Sequence, residues 1–284
     1  MYFLLKFLQV ILRNIPRKAG YFIFESLFTA ALLFPSKRKR TLKKNLSNVL
    51  GHDAPASLLR EVYRCYARYY FDLYQDNEKI FPSVVITPEF QHAYDISKDL
   101  LNRYNGLIIL SLHIGNWDFG GSYLSYMYPQ KGNVVVEKLS PPVYTWFTET
   151  RQKWGMKVIE SSDMKSMMRA LKNKEVLVLA VDRDLEKTGY QMEFFGKKAY
   201  IPSGPAKLAL TYGVPIMLGG MTRNKDNPLI FVPFFYPEAL NLERAERTEE
   251  NTVKLTRSMV KLMERSISSS PEQWCMLQQV WVDE

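Results

Sequence analysis

Residues 107–121 read LIILSLHIGNWDFGG, and this stretch decides the fold. Positions 107–112 are apolar with hardly a break, as expected of a strand covered on both faces. His113 follows the run, Gly115 and Asn116 turn the chain, and a helix is expected from Trp117. Gly120 and Gly121, without Cβ atoms, let that helix lie close to the sheet. Strand, tight turn and helix in this order are the repeating unit of an α/β fold.

The alternation continues outward. Strands are expected at 133–137, 156–159, 176–181, 214–219 and 229–233, with a short one at 84–87. Helices are expected at 56–74, 88–104, 117–127, 143–154, 164–171, 205–212 and 248–268. The fold class is therefore α/β, a mostly parallel central sheet flanked by helices on both faces. No internal repeat or low-complexity segment interrupts it. With 284 residues, 46% hydrophobic and 24% charged, the chain can bury a full core, which excludes disorder and a disulfide-stapled mini-protein. Cys65 and Cys275 are far apart and form no C-x-x-C pair, which fits a reducing compartment.

The first fifty residues differ from the rest. They hold ten Lys and Arg against one acid, Glu25, so the whole formal charge of +9 sits there. The other 234 residues are balanced and offer no polyanion-binding surface, and no nucleic-acid partner is expected. MYFLLKFLQVIL opens the chain, a second apolar run covers 21–34, and KRKRTLKKN follows Pro35. Neither run reaches the ~20 apolar residues of a spanning helix. A lysine inside the first run and no small-x-small cleavage site argue against a signal peptide. Apolar runs flanked by cations suit helices lying in a membrane interface. The alternative is two amphipathic helices packed on the core with a solvated basic loop. The expected division is a membrane-associating segment at 1–50 and one α/β domain at 51–284.

His113 and Asp118 carry the candidate chemistry. Five residues turn about 500° on a regular helix, so the two would not share a helical face. With His113 in the turn and Asp118 in the first helical turn, the carboxylate can reach the imidazole, fix its tautomer and favour its protonation. The spacing alone is unspecific, with about 0.3 chance matches expected in a chain of this composition. The local residues also admit a core histidine beside a cap-like Asp.

His-x4-Asp at the end of an apolar strand resembles the lysophospholipid acyltransferase superfamily. The stretch AVDRDLEKTGYQMEFFGKKAYIPSGPAKLALTYGVPIM, 180–217, is similar to the bacterial late acyltransferases of lipid A biosynthesis and the related phosphatidylinositol mannoside acyltransferases. The shared features are an Asp-x-Asp after a strand, Phe195-Gly196, Pro202-x-Gly204-Pro205 leading a helix, and Gly213-x-Pro215 opening a strand. PEQW at 271–274 and the basic apolar N-terminus fit as well. Many lipid A enzymes carry Glu at the last position of the histidine motif and Asp-Gln-Asp later. Asp118 and Asp182-Arg183-Asp184 lean towards the mannoside branch.

The resemblance implies transfer of an acyl chain from acyl-CoA or acyl carrier protein to a hydroxyl of a membrane glycolipid or lipid A-type acceptor. The thioester is a co-substrate, and no cofactor or metal is required. It implies His113 as general base oriented by Asp118, at the cytoplasmic face of a bacterial inner membrane. Backbone amides near Gly115 and Asn116, or an Arg, are candidate oxyanion donors. No G-x-S-x-G elbow is present to form an acyl-enzyme. Arg151 would lie near the thioester, to polarise its carbonyl or hold a donor phosphate; an exposed helix arginine is the alternative. Arg183 is expected to bond a neighbouring carboxylate, with Asp182 or Asp184 as a second orienting group. Ser203 and Gly204 begin a helix whose free amides could hold an anionic group, though an ordinary capped helix explains them equally. Glu193 is better read as an exposed strand residue, His52 and His92 as surface histidines, and Cys65 as a structural thiol. A thioesterase with the same dyad, or a non-catalytic membrane adaptor, are the competing functions.

Overall fold

The computed structural model describes residues 1–184, 186–240 and 246–282. Helices α1 (Tyr2–Leu12), α2 (Arg17–Ala30), α3 (Lys37–Leu50), α4 (Ala56–Asp72), the short α5 (Asn77–Ile80) and α6 (Pro88–Tyr104) precede the first strand. Then come β1 (Leu107–Ser111), α7 (Trp117–Met127), β2 (Gly132–Val136), α8 (Pro141–Lys153), β3 (Lys157–Glu160), α9 (Met164–Lys172) and β4 (Val176–Ala180). A hairpin of β5 (Tyr190–Phe194) and β6 (Lys197–Ile201) leads to α10 (Gly204–Tyr212), β7 (Ile216–Arg223), β8 (Phe231–Phe235) and α11 (Glu249–Ser269).

Six strands form one sheet in the order β3-β2-β4-β1-β7-β8. All its pairs are parallel except β7–β8. β1 is the spine, and its apolar run has the reason expected from sequence. Ile108 and Leu110 face one core, packed with residues of α9, α10 and α11. Leu107 and Ile109 face another, packed with Phe90 of α6 and Leu124 of α7. A strand buried on both sides has no polar position to spare.

Local chemistry sets the helix starts. Thr87 accepts the Phe90 amide and Pro88 fills the first position of α6; Asn116, Asp163 and Thr248 cap α7, α9 and α11 in the same way.

Three regions depart from expectation. Residues 84–87 make only one bridge, Val84 to Phe231, and no strand. The basic run is not a loop: Ser36 caps it by accepting the Lys39 amide, and it opens α3. Leu42 and Leu46 from that helix are fully buried in the main core, so its cations occupy the outer face of a docked helix. The β5–β6 hairpin was not among the expected strands. Tyr190-Gln191-Met192-Glu193-Phe194 alternates as a half-buried strand should, and Phe195 and Gly196 both take positive φ at the turn.

The N-terminus is unlike the core. Among the described residues, eleven of sixteen exposed large hydrophobic side chains fall in the first 34 positions. α1 buries none of its residues, and Phe3 is 85% exposed. α2 is anchored where Gly20 lets the Phe71 ring of α4 approach; a Cβ there would stand 2.0 Å from that ring. No single described helix is long and apolar enough to cross a membrane.

Candidate active site

His113 lies two residues beyond β1, and Asp182 two beyond β4. The two strands are parallel neighbours with Ser111 opposite Ala180. Continuing that register by two residues sets His113 beside Asp182. The imidazole Nδ1 is 2.7 Å from Asp182 Oδ1, and the His113 amide donates to Oδ2 at 2.8 Å. Trp274 donates its indole N–H to the same Oδ2 at 2.9 Å. Burial of Asp182 pushes its carboxyl up, but the His113 charge and these hydrogen bonds outweigh it, and the carboxyl is held below its usual range. An ionised Asp182 requires the proton on Nδ1, which leaves Nε2 as the basic nitrogen. The histidine side chain keeps 18% of its surface, while that of Asp182 keeps none.

The expected partnership of His113 with Asp118 is not formed. Asp118 accepts from Arg151 Nε at 2.6 Å and Nη2 at 3.2 Å, and from the Tyr69 hydroxyl at 2.6 Å. The reason is geometric. Gly115, at φ +64°, turns the chain before the Asn116 cap. Asp118 then points from the first turn of α7 towards α4 and α8, while His113 remains at the sheet edge. Arg151 is correspondingly neither exposed nor available to a ligand. Its burial works against the charge, but Asp118 more than compensates and raises its pKa. The Asp118 carboxylate, bonded to Arg151 of α8 and Tyr69 of α4, ties three helices together.

The turn itself is fixed from two sides. The Gly115 amide donates to the Gln273 carbonyl, the Asn116 amide to the Met221 carbonyl, and the Cys275 amide to the His113 carbonyl. The two amides expected to serve as oxyanion donors are thus already committed. A Cβ on Gly115 would stand 2.1 Å from the Met221 carbonyl oxygen. The Asn116 side chain donates to Asp72 at 2.9 Å. Asp72, fully buried, also accepts from Tyr21 at 2.8 Å and is paired with Arg223. Helix α2 is therefore connected through Tyr21, Asp72 and Asn116 to the histidine turn.

The remaining candidates separate. Arg183 bonds Glu137 and Gln278, as expected of a residue paired with a carboxylate, though its partner lies beyond β2. Asp184 accepts the Gly189 amide at 2.6 Å and does not join the histidine. Ser203 stands at the N-cap of α10, but its hydroxyl makes no capping bond; Gly204 begins that helix. Glu193, His52 and His92 are exposed. Cys65 is buried, 3.8 Å from the Gly115 carbonyl oxygen.

Trp117, the first residue of α7, meets the His113 ring edge-on at 5.1 Å and stacks on Tyr69 at 3.8 Å. On the α6–α7 side of the sheet, a narrow apolar cavity of about 30 Å³ is bounded by Ser111, Tyr123, Val178 and four glycines, 120, 121, 219 and 220. Ser111 stands two residues before His113. The arrangement is an accessible imidazole with a buried carboxylate behind it, on a strand that borders an apolar cavity at Ser111.

Sequence reasoning missed the principal role of Asp182 and the contact Trp274 makes with it, and gave no role to Tyr69, Asp72 or Arg223. The available signal was that His113 and Asp182 each directly follow an apolar run, the position where adjacent parallel strands bring side chains together.

The sequence profile described as bacterial lipid A biosynthesis acyltransferase matches residues 1–282. The phosphatidylinositol mannoside acyltransferase of Mycolicibacterium smegmatis is 26% identical over 254 residues, covering 85% of this chain and 79% of that protein. The protein of the same name from Mycobacterium tuberculosis is also 26% identical over 254 residues, covering 85% of this chain and 76% of its own length.

Proposed function

The chain belongs to the bacterial lipid A biosynthesis acyltransferase family and is an O-acyltransferase, and we propose that it acylates a hydroxyl of a membrane glycolipid from an acyl thioester, with His113 as general base and Asp182 as its orienting carboxylate. The observation that carries this reading is the 2.7 Å contact of a buried, ionised carboxylate with Nδ1 of a solvent-accessible imidazole.

Nε2 accepts the proton of the acceptor hydroxyl as its oxygen attacks the thioester carbonyl. Asp182 stays ionised, holds the tautomer and stabilises the imidazolium. The tetrahedral oxyanion collapses, the C–S bond breaks, and the departing sulfur takes the proton from Nε2. With Gly115 and Asn116 committed, and the Phe119 and Gly120 amides bonded to Asn116, the Trp117 and Asp118 amides at the start of α7 are the backbone candidates for the oxyanion. The thiolate leaves readily, so no covalent acyl-enzyme is needed.

The apolar cavity beside Ser111 is the proposed start of the acyl-chain path. The exposed apolar faces of α1 and α2 rest on the bilayer peripherally, with the basic residues towards anionic headgroups. The names of the mycobacterial relatives make mannosylated phosphatidylinositol the first acceptor to try.

The test uses purified full-length protein, labelled acyl-CoA or acyl carrier protein, and glycolipid-containing vesicles. A glycolipid heavier by one acyl group is expected, together with acceptor-dependent thioester consumption. Consumption at the same rate without acceptor would make the protein a thioesterase instead.

A further inference from the structure

At the elbow between α1 and α2 lies an open cavity of about 440 Å³, lined by Arg13, Arg17, Lys18 and Lys79 and, among the described residues, by no acid. It shares no residue with the His113–Asp182 pair or with the apolar cavity. Arg17 is its fixed floor. Its fork donates to Ser83 at 2.9 Å and to Tyr21 at 2.8 Å, and it lies 5.0 Å from the Phe231 ring. Behind it, Asp72 stands 3.6 Å away. Lys79 is held over the elbow by the Arg13 carbonyl at 2.9 Å. Asp76 is shared between Lys153 at 2.7 Å and Lys79 at 3.7 Å. Arg13 and Lys18 are exposed, and among the described residues their side chains make no ion pair or hydrogen bond.

Two features define what such a pocket would take. Cations converging from α1, α2 and α5 call for a compact anion, and the volume exceeds a water molecule's ~30 Å³ many times over, leaving room for a phosphodiester with its glycerol. Its rim is partly apolar: Ile15, Pro16, Leu229 and Ile230 line it, and the segments that form it continue into exposed Val10 and Ile11 on α1, Phe22 and Ile23 on α2, and Val85 and Ile86 beyond Ser83. A free polyanion has no use for such a rim, whereas a lipid has its phosphate and its hydrocarbon side by side.

We propose that the α1–α2 elbow binds the phosphate of an anionic membrane phospholipid, with Arg13, Lys18 and Lys79 as contacts on the Arg17 floor. The lipid context rests on the reading that α1 and α2 lie on a bilayer. Occupancy fixes how these helices meet the membrane. Through Arg17, Tyr21, Asp72 and Asn116 it also connects the bilayer to the turn that carries His113.

The experiment compares the full-length protein with R13A/K18A/K79A and with a charge-matched control, K37A/R38A/R40A, in flotation with phosphatidylcholine vesicles and with vesicles also containing phosphatidylglycerol. The elbow variant should lose about tenfold or more in affinity for the anionic vesicles, the control clearly less, and binding to neutral vesicles should be unchanged in all. Equal losses in the two variants would overturn the pocket in favour of diffuse attraction. A second arm uses soluble dihexanoyl phosphatidylglycerol, which should raise the Tm of the parent protein but not of the elbow variant. Inorganic phosphate giving the same rise would reassign the site to free phosphate, and no rise with either would overturn it. If the parent protein floats with neither vesicle, the membrane reading fails, while the short-chain lipid still decides the pocket.

Discussion

Asp118 stands five residues from His113 and binds Arg151 and Tyr69; Asp182 stands 69 residues away and binds the imidazole itself. Both carboxylates are buried beside the same turn. What separates them is the element each belongs to. Asp182 ends a strand that is hydrogen-bonded to the histidine's strand, so parallel register delivers it to the ring. Asp118 sits on a helix that begins after a left-handed glycine, so its side chain is carried to the neighbouring helices. A short spacing in sequence thus marks a motif whose two polar ends are placed differently: one is the proposed base at the sheet edge, and the other ties together the helices beside it.

The sharpest way to break this contrast is to remove its members singly. His113→Ala should lower kcat by about 10⁴-fold with the fold retained, and should also lower Tm, because the base is lost and the buried Asp182 carboxylate loses its partner. Steady-state transfer assays and thermal melts on the same preparations check this. Asp182→Asn should cost about 10³-fold in kcat with KM little altered, since the ring loses its tautomer control while the neighbouring side chains remain. A fall in KM-determined binding without a fall in kcat would contradict it.

Arg151→Met should act mainly on stability. It leaves the buried Asp118 carboxylate uncompensated, at a cost of about 3 kcal/mol in unfolding free energy. Adding Asp118→Asn should recover part of that loss in urea unfolding. A recovery would sharpen the contrast; a double variant no more stable than the single one would blur it. The smallest effect is expected from Gly115→Ala, at about 2 kcal/mol, from the strained φ and the clash with the Met221 carbonyl. That variant should lose activity and stability together, because the turn serves both carboxylates.

Much of the fold was legible. Helix α6 was placed at its observed bounds, and α7 likewise, because Pro88 and Asn116 announce helix starts and periodic apolar residues carry them on. β1 and β4 were legible because strands buried on both faces cannot hide among polar residues. The hairpin at 190–201 was not among the expected strands, since its short alternation lies between stronger signals. The helix at 37–50 was not among the expected helices, because the charge of 37–44 conceals Leu42 and Leu46, whose burial depends on what packs against them. His113 could be singled out from its place after β1. Its partner could not, because Asp182 becomes adjacent only when β4 is known to return beside β1. Asp72, 41 residues before the motif, gives no local sign of its contact with Asn116 for the same reason.

The central claim concerns one hydrogen bond, and it can be observed directly. The chain has three histidines, of which two are exposed, so nitrogen-15 spectra of histidine-labelled protein can resolve the His113 ring. The account predicts a proton on Nδ1 in the parent protein, lost or redistributed in Asp182→Asn and retained in Asp118→Asn. A ring that keeps its Nδ1 proton in Asp182→Asn and loses it in Asp118→Asn would contradict the account.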